Sequence, residues 1–445
     1  MTQHSARRRI WGWFFFDWAS QPYTTLLLTF IFAPYFKELM GSGAEAQALW
    51  GMGIGAAGIV IAICAPVLGA AADSSGNRLR WIWLFSVLYV IGSFGLWWAA
   101  PGNFDPVLTL VVFAIGLFGM EFATIFTNSM LPDLGTKDEI GRISGNGWAF
   151  GYLGGLIALV IVLTLFAENA ETGKTLLGRD PALGLEAAAR EGTRAVGPLV
   201  AIWYVIFMVP FFLWVKDPKT APAPKGAVRS ALRQVVHTVR NLPQAPSRFA
   251  YLGSSMLYRD GLNGIYAFGG IYAAGVLDWS VPDIGAFAIL AIVSGAIFAV
   301  VGGRLDARFG PRPVIVTCIC LLTLVAVAIM FISRETVFGM PQAPESKLPD
   351  LIFYGLGAVI GAAGGALQSA SRTMMVRQAD PAHMTEAFGL YALAGKATGF
   401  VAPLTIGLAT QISGSQQIGI TPLIALFLCG LVLLRWVKAE GDRAA

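Results

Sequence analysis

Residues 7–36 read RRRIWGWFFFDWASQPYTTLLLTFIFAPYF. Three arginines precede an apolar run long enough to cross a bilayer, and Asp17 stands inside that run. A carboxylate near the middle of a span costs from about 2.5 kcal/mol upward, so an intramembrane acid calls for a functional reason. The basic start resembles a secretory leader, but the run is too long for one and offers no clear small-residue cleavage site. The stretch therefore reads as a first permanent span.

The same pattern recurs along the whole chain of 445 residues, 56% of them hydrophobic and 13% charged, with a mean hydropathy of +0.66. Each apolar run of roughly 20 residues suffices to span a bilayer. Such runs fall near 10–36, 48–72, 81–99, 106–130, 145–166, 198–215, 247–273, 282–302, 313–333, 350–376, 387–411 and 420–437. The expectation is an all-α polytopic membrane protein with twelve transmembrane helices.

Basic residues set the expected orientation. Both termini and the alternate loops on their side hold 22 of the 31 lysines and arginines, which by the positive-inside rule puts both ends in the cytoplasm. That distribution accounts for the net charge of +5 without a nucleic-acid partner. Short loops and a long basic linker suit a bacterial inner membrane. Cys64, Cys318, Cys320 and Cys429 all fall in apolar spans, where cysteine acts as a small hydrophobe. Neither a disulfide framework nor a metal site is expected, and no cofactor.

The longest polar connection, KDPKTAPAPKGAVRSALRQVVHTVRNLPQAP at 216–246, divides the chain into bundles at 1–215 and 247–445. Residues 226–240 within it have the pattern of a basic amphipathic helix for a membrane surface. Six spans on each side suggest internal duplication. After the second span comes GAAADSSGNRLR, with Gly69, Asp73, Gly76 and Arg78. After the eighth comes GGRLDARFGPRP, with Gly302, Asp306, Gly310 and Arg312. In both, glycines permit a tight reversal, the aspartate suits a neighbouring helix N-terminus, and the arginines suit lipid phosphates. Spans 1 and 7 align as DWASQPY and DGLNGIY, matching Asp17, Ser20 and Tyr23 with Asp260, Asn263 and Tyr266. Spans 5 and 11 align GNGWAFGY with GLYALAGK, matching Gly151 with Gly395.

The paired turns resemble the loop motif of the major facilitator superfamily, Gly-x-x-x-Asp-Arg-x-Gly-Arg-Arg. They depart from it at Ser74, where the family has arginine, and by one extra residue between Asp306 and Gly310. The resemblance implies two pseudo-symmetric six-helix bundles whose spans 1, 4, 7 and 10 line a central cavity. The polar residues fall mostly on those spans. Asp17, Ser20, Gln21 and Thr24 form one helical stripe. Span 4 has Glu121 and Asn128, span 7 has Arg259, Asp260 and Asn263, span 10 has Gln368 and Arg372, and span 11 has Lys396. Acids in one half and bases mainly in the other suit a small zwitterion or an anion, or the passage of a proton. Ion pairs that glue helices are the competing reading. The GxxxGxxxG faces at Gly147, Gly151 and Gly155 and at Gly357, Gly361 and Gly365 suit close helix packing.

FDWASQPYTT at 16–25, GRISGNGWAFGYLGG at 141–155, LYRDGLNGIYAFGGIYAAGV at 257–276 and TEAFGLYALAGKATGFVAPL at 385–404 resemble the autophagy-related vacuole effluxer family, a branch of that superfamily. The resemblance implies a secondary transporter acting by alternating access, with amino-acid export associated with fungal members. The expected partners are a small-molecule or lipid-like substrate, membrane lipids and coupling protons, with the chain acting as a monomer. The runner-up is a lysophospholipid or another amphiphile, suggested by aromatics such as Trp148, Tyr152 and Tyr391. A channel or scramblase is a third class. An enzyme is disfavoured because His4, His237 and His383 lie outside the spans, and neither HExxH nor GxSxG occurs. The long outer segment 167–197 contains ALGLEAAAREG, which has the pattern of a short surface helix or lid; a plain solvated loop is the leading expectation for the segment.

Overall fold

A bilayer core leaves backbone N–H and C=O groups no water to bond, so a chain this apolar has to satisfy them within helices. The computed structural model, which describes residues 3–41, 43–217, 227–279 and 281–443, is built almost wholly of helices. Among the described residues ten helices are long and apolar enough to cross a membrane. The protein is an all-α polytopic membrane protein. Its outer faces carry large apolar side chains such as Ile63, Leu324 and Leu351, each well exposed.

In chain order the α-helices of the first part are α1 (Gln3–Pro22), α2 (Phe32–Met40), α3 (Gly43–Ser75), α4 (Arg78–Gly95), α5 (Pro106–Asn128), α6 (Lys137–Leu165), α7 (Glu191–Arg194) and α8 (Val196–Trp214). They are followed by α9 (Ala227–Asn241), α10 (Pro246–Val276), α11 (Val281–Phe309), α12 (Pro311–Ile329), α13 (Leu348–Gln378), α14 (Met384–Ala397), α15 (Val401–Ser413), α16 (Gln416–Gly419) and α17 (Thr421–Leu433). One small hairpin, β1 (Thr336–Val337) with β2 (Met340–Pro341), pairs antiparallel in the loop before α13.

Two of the expected spans fall outside the ten. The first does not run straight: after Pro22 the helix widens into π-helical turns over Tyr23–Phe30 before α2 begins. A proline inside a helix and π turns are recognised causes of such distortion. The other is α10, with 31 residues and a length of about 46 Å. Its length is ample, and its serines, tyrosines, Arg259 and Asp260 lower its hydropathy.

By contacts the chain divides into two units, one comprising 1–65, 71–130 and 150–227, the other 66–70, 131–149 and 228–445. In the first, α4 meets α5 at Gly92, Gly116 and Gly119, where a methyl group would overlap the facing backbone or the Tyr23 ring. Its core is aromatic: Tyr89 stacks on Tyr204 at 3.9 Å, and the Tyr204 hydroxyl shares a 2.8 Å hydrogen bond with Ser86. In the second unit the glycine stripe of α13 does what the sequence suggested. Gly357 receives the Phe287 ring, while Gly361 and Gly365 lie against the Ala291 and Gly295 carbonyls of α11.

The outer segment 167–197 is mostly loop, the leading expectation, and the alternative surface helix over ALGLEAAAREG does not form. Only a 3-10 turn at Ala182–Gly184 and the single turn α7 are helical. Leu183, Gly184 and Arg190 all have left-handed backbone (φ 62, 72 and 53°), which interrupts a right-handed helix. Tertiary bonds stabilise the loop. The buried Glu168 carboxylate accepts from the Thr193 amide (3.1 Å), the Thr193 hydroxyl (3.0 Å) and Arg190 (3.0 Å), and Arg190 bridges to Glu38 on α2 at 2.7 Å. The linker helix expected over 226–240 is α9; residues 218–226 lie outside the described residues.

Candidate functional site

Arg259 sits 14 residues into the 31-residue α10, about 20 Å along it, near the middle of the helix. Its guanidinium lies over the Tyr391 ring, 4.1 Å from the centroid, and donates one hydrogen bond of 2.9 Å to the Tyr391 carbonyl. Gly395, one turn further along α14, makes room for this arrangement: a methyl there would stand 2.5 Å from Cζ and Nη1 of Arg259. Among the described residues of this unit, no carboxylate lies within ion-pair distance of Arg259. A guanidinium carries five N–H donors in a rigid fork, so most of its hydrogen-bonding capacity is open. Arg259 is half-buried, which keeps it accessible to a solute.

Asp260, the next residue, turns elsewhere. It is 1% exposed, and its Oδ2 accepts a 3.0 Å hydrogen bond from the amide of Ala402. That amide belongs to the first turn of α15. The continuous helix expected over 387–411 is in fact broken: α14 ends at Ala397, Thr398–Phe400 form a turn, and α15 starts at Val401. The sequence at the break, KATGFVAP, contains poor helix formers in Thr398 and Gly399, and Pro403 suits the start of a helix. Neighbouring residues of α10 thus serve opposite helix ends: the cation meets the C-terminal half of α14, and the anion meets the N-terminus of α15. The helix dipole of α15 favours the placement of Asp260 at its N-terminus.

The remaining sequence-derived candidates of this unit are dispersed. Asn263 is exposed. The Tyr266 hydroxyl packs against Gly364 of α13. Gln368 and Lys396 are half-buried. Arg372 is 4% exposed and held by Ser144, donating to its hydroxyl (3.0 Å) and its carbonyl (2.8 Å), with the Trp148 ring 5.6 Å away. Ser144 and Ser369 gave no signal in the sequence, since single serines in apolar helices are common. Tyr391 was noticed only as an aromatic, not as the platform for Arg259.

In the other unit Asp17, Gln21, Glu121 and Asn128 are all half-buried. A methyl at Gly151 would stand 3.2–3.3 Å from the Asp17 carbonyl oxygen and Cβ, and Gln21 and Thr25 lie against Gly155. The Tyr23 hydroxyl donates to the Phe113 carbonyl at 2.7 Å and lies against Gly116 of α5. Tyr23 and Tyr266 each set a hydroxyl against a glycine, Gly116 of α5 and Gly364 of α13, and Gly151 and Gly395 each lie against a charged residue, Asp17 and Arg259.

The two loop motifs are structured differently from one another. Gly76 and Gly310 have φ of +63° and +83°, the left-handed backbone that favours glycine. Arg78 does not reach toward lipid phosphate; it pairs with Asp217 at 2.8 Å and donates to the Ser129 carbonyl at 2.9 Å. Asp73 is half-buried, and Arg312 is half-buried at the start of α12. Asp306 is fully buried with its carboxyl group against Gly141 in the second turn of α6. Gly69 lies against the Thr385 carbonyl.

Residues 46–445 match the family model described as Vacuole effluxer Atg22 like. The chain is 23% identical over 436 residues to the MFS-type transporter YxiO of Bacillus subtilis (strain 168), covering 96% of this chain and 94% of that one. It is 24% identical over 311 residues to autophagy-related protein 22 of Coccidioides immitis (strain RS), covering 66% of this chain and 47% of the fungal protein. The chain thus spans about half the length of that fungal relative. Among solved structures it is similar to the MFS proton:xylose symporter XylE, with a TM-score of 0.71 at 12% identity, covering 100% of this chain and 99% of that one. At that identity the likeness carries the fold.

Proposed function

Because the chain belongs to the vacuole effluxer Atg22-like family and has the fold of MFS secondary transporters, we propose that it exports a small zwitterionic solute, amino acids foremost, in exchange for protons. Arg259 is the residue that holds the solute's carboxylate. One observation carries this reading: a mid-span guanidinium fixed by Tyr391 and Gly395 with most of its donors open. Arginine binds carboxylates through two parallel N–H···O bonds. Asp17 and Glu121 are the acidic groups proposed for the ammonium end or for coupling.

The proposed architecture is twelve spans in two halves, 1–215 and 247–445, joined by 216–246, with α1 and α10 added to the ten apolar helices. The equivalent contacts of Tyr23 and Tyr266, and of Gly151 and Gly395, support duplication. Both termini are proposed to face the cytoplasm of a bacterial cell, with α9 at the membrane surface. A second reading has its own observation. A cavity of about 290 Å³ lined by Phe268, Ile271, Tyr272 and Ile406, with Thr410 and Gln411 at its edge, suits the acyl chain of a lysophospholipid.

Flux into proteoliposomes separates the two. Labelled amino acids and lysolipids are offered with and without a pH gradient, to the wild type and to Arg259→Ala. The expected result is amino-acid flux stimulated by the gradient and reduced at least a hundredfold in Arg259→Ala. Undiminished flux in that variant removes Arg259 from the site, and flux of lysolipids alone establishes the second reading.

A further inference from the structure

At the break after α14, three adjacent positions determine which backbone donors remain. The Val401 amide bonds to the Thr398 carbonyl at 2.7 Å, the Ala402 amide bonds to Asp260 at 3.0 Å, and Pro403 has no N–H. Asp260 therefore satisfies one orphan donor of α15 with Oδ2. Its Oδ1 is buried and has no hydrogen-bond partner among the described residues. An aspartate serving only as a helix cap is ordinarily found near water, where the second oxygen is hydrated. Here a carboxyl group is sealed at span depth with one oxygen committed and the other vacant.

We propose that Asp260 is the proton-binding group of the transport cycle and that its protonation loosens the hinge at Thr398–Phe400. A proton from the adjoining aqueous phase adds to the carboxylate; no covalent bond breaks, and the group becomes neutral. The bond from Ala402 then loses its ionic acceptor. Charge-assisted hydrogen bonds are roughly twice as strong as neutral ones, and the favourable dipole contact at the N-terminus of α15 disappears at the same time. Either protonation state leaves the site incompletely satisfied, and this lets it alternate.

The charged groups near this carboxyl are few. Arg259 precedes it on α10 and leans away onto Tyr391. Lys396 lies near the end of α14, and the acid of that helix, the buried Glu386, is at the opposite end in its first turn. No Asp, Glu, Lys, Arg or His occurs in α15, α16 or α17, where Cys429 is the titratable residue. The charges of α11, α12 and α13 lie toward the helix ends. The hydroxyl of Tyr258 is engaged with Ser371. A proton arriving here meets no competing carboxylate on those elements at this depth.

This inference rests on the transporter reading, and its test uses no solute, so the two fail separately. Amide exchange over 399–405 is followed in the full-length protein in nanodiscs between pH 8 and pH 5, after division by the intrinsic exchange rate at each pH. The wild type is expected to lose about tenfold in protection as the pH falls. Asp260→Asn, which cannot take up the proton, is expected to show one constant protection throughout. A flat wild-type profile overturns the proposal, as does an Asp260→Asn profile that follows the wild type. If Asp260→Asn cannot be recovered folded, Asp260→Glu must keep the pH response with a displaced midpoint; its loss counts against the proposal in the same way.

Discussion

The placement of Arg259 depends on the absence of a side chain at position 395, so Gly395→Ala is a graded probe of the site. The added methyl would lie 2.5 Å from Cζ and Nη1 of Arg259, whereas ordinary contact begins near 3.4 Å. The guanidinium, being the far end of a flexible side chain, moves rather than the helix, and it recedes by about 0.9 Å. Folding barely registers the change. The loss of the bond to Tyr391, about 1–3 kcal/mol at most, is partly offset by alanine's advantage over glycine in a helix, about 1 kcal/mol. Transport registers it strongly, because a misplacement of about 1 Å in a positioning group can reduce rate by about a hundredfold. Initial flux in proteoliposomes is expected to fall by that order at nearly unchanged thermal stability. Combining Gly395→Ala with Arg259→Ala should be no worse than Arg259→Ala alone, since both act through one group. Gly395→Ala flux within twofold of the wild type would show that the guanidinium's position is immaterial and that another residue binds the solute.

Two further expectations concern stability. Glu168→Gln removes the charge that Arg190 and the two Thr193 donors converge upon. Breaking a buried, hydrogen-bonded pair costs about 3–5 kcal/mol, so exchange across 167–195 should accelerate while flux is retained; protection equal to wild type would make the network incidental. At the C-terminus, hydrogen bonding from Lys137, with Arg377 adding to it, holds the Glu440 carboxyl group below its usual range. A lowered carboxylate contributes stability above its unfolded pKa, about 4.3, and loses it as pH falls through the folded value. The pair is partly exposed, so the effect is below about 1 kcal/mol. Exchange at 438–442 should rise at acid pH, and Glu440→Gln should show the acid behaviour at pH 7. A variant indistinguishable from wild type at both pH values would contradict this account.

The spans were legible because a bilayer imposes a minimum apolar length, and that length appears directly in the composition. The two helices that fall outside the ten apolar spans are the ones rich in polar residues, so the same side chains that blur the span count are the candidates for the site. Asp17, Arg259 and Asp260 could be found because ionisable groups are rare at such depth. Their partners could not. Tyr391 and Gly395 lie more than 130 positions from Arg259, and nothing local in ALAGKATGF distinguishes a continuous helix from one that breaks. Thr398, Gly399 and Pro403 were the available signals, but in apolar helices each is commonly tolerated. In 167–197 the helix alternative fails for a related reason. An Ala- and Glu-rich string has local helix propensity, and the bonds converging on Glu168 from Arg190 and Thr193 outweigh it.

The adjacency of Arg259 and Asp260 acquires meaning only from the broken helix. On a continuous partner helix the two charges would face one uninterrupted ladder of satisfied backbone groups, and each would need its own counter-ion. The break supplies instead an amide-rich end that Asp260 engages, while Arg259 rests on the Tyr391 ring and carbonyl of α14, so one short segment of α10 holds both charges without an ion pair between them. The arrangement also couples them. Any motion of α15 that releases Ala402 from Asp260 pivots at Thr398–Phe400, immediately beyond the turn of α14 whose Gly395 sets the position of Arg259. Solute affinity and proton occupancy would then be linked through three residues of backbone. Lengthening that turn by one glycine after Gly399 should therefore uncouple them, leaving exchange at 399–405 pH-sensitive in the absence of any pH stimulation of flux.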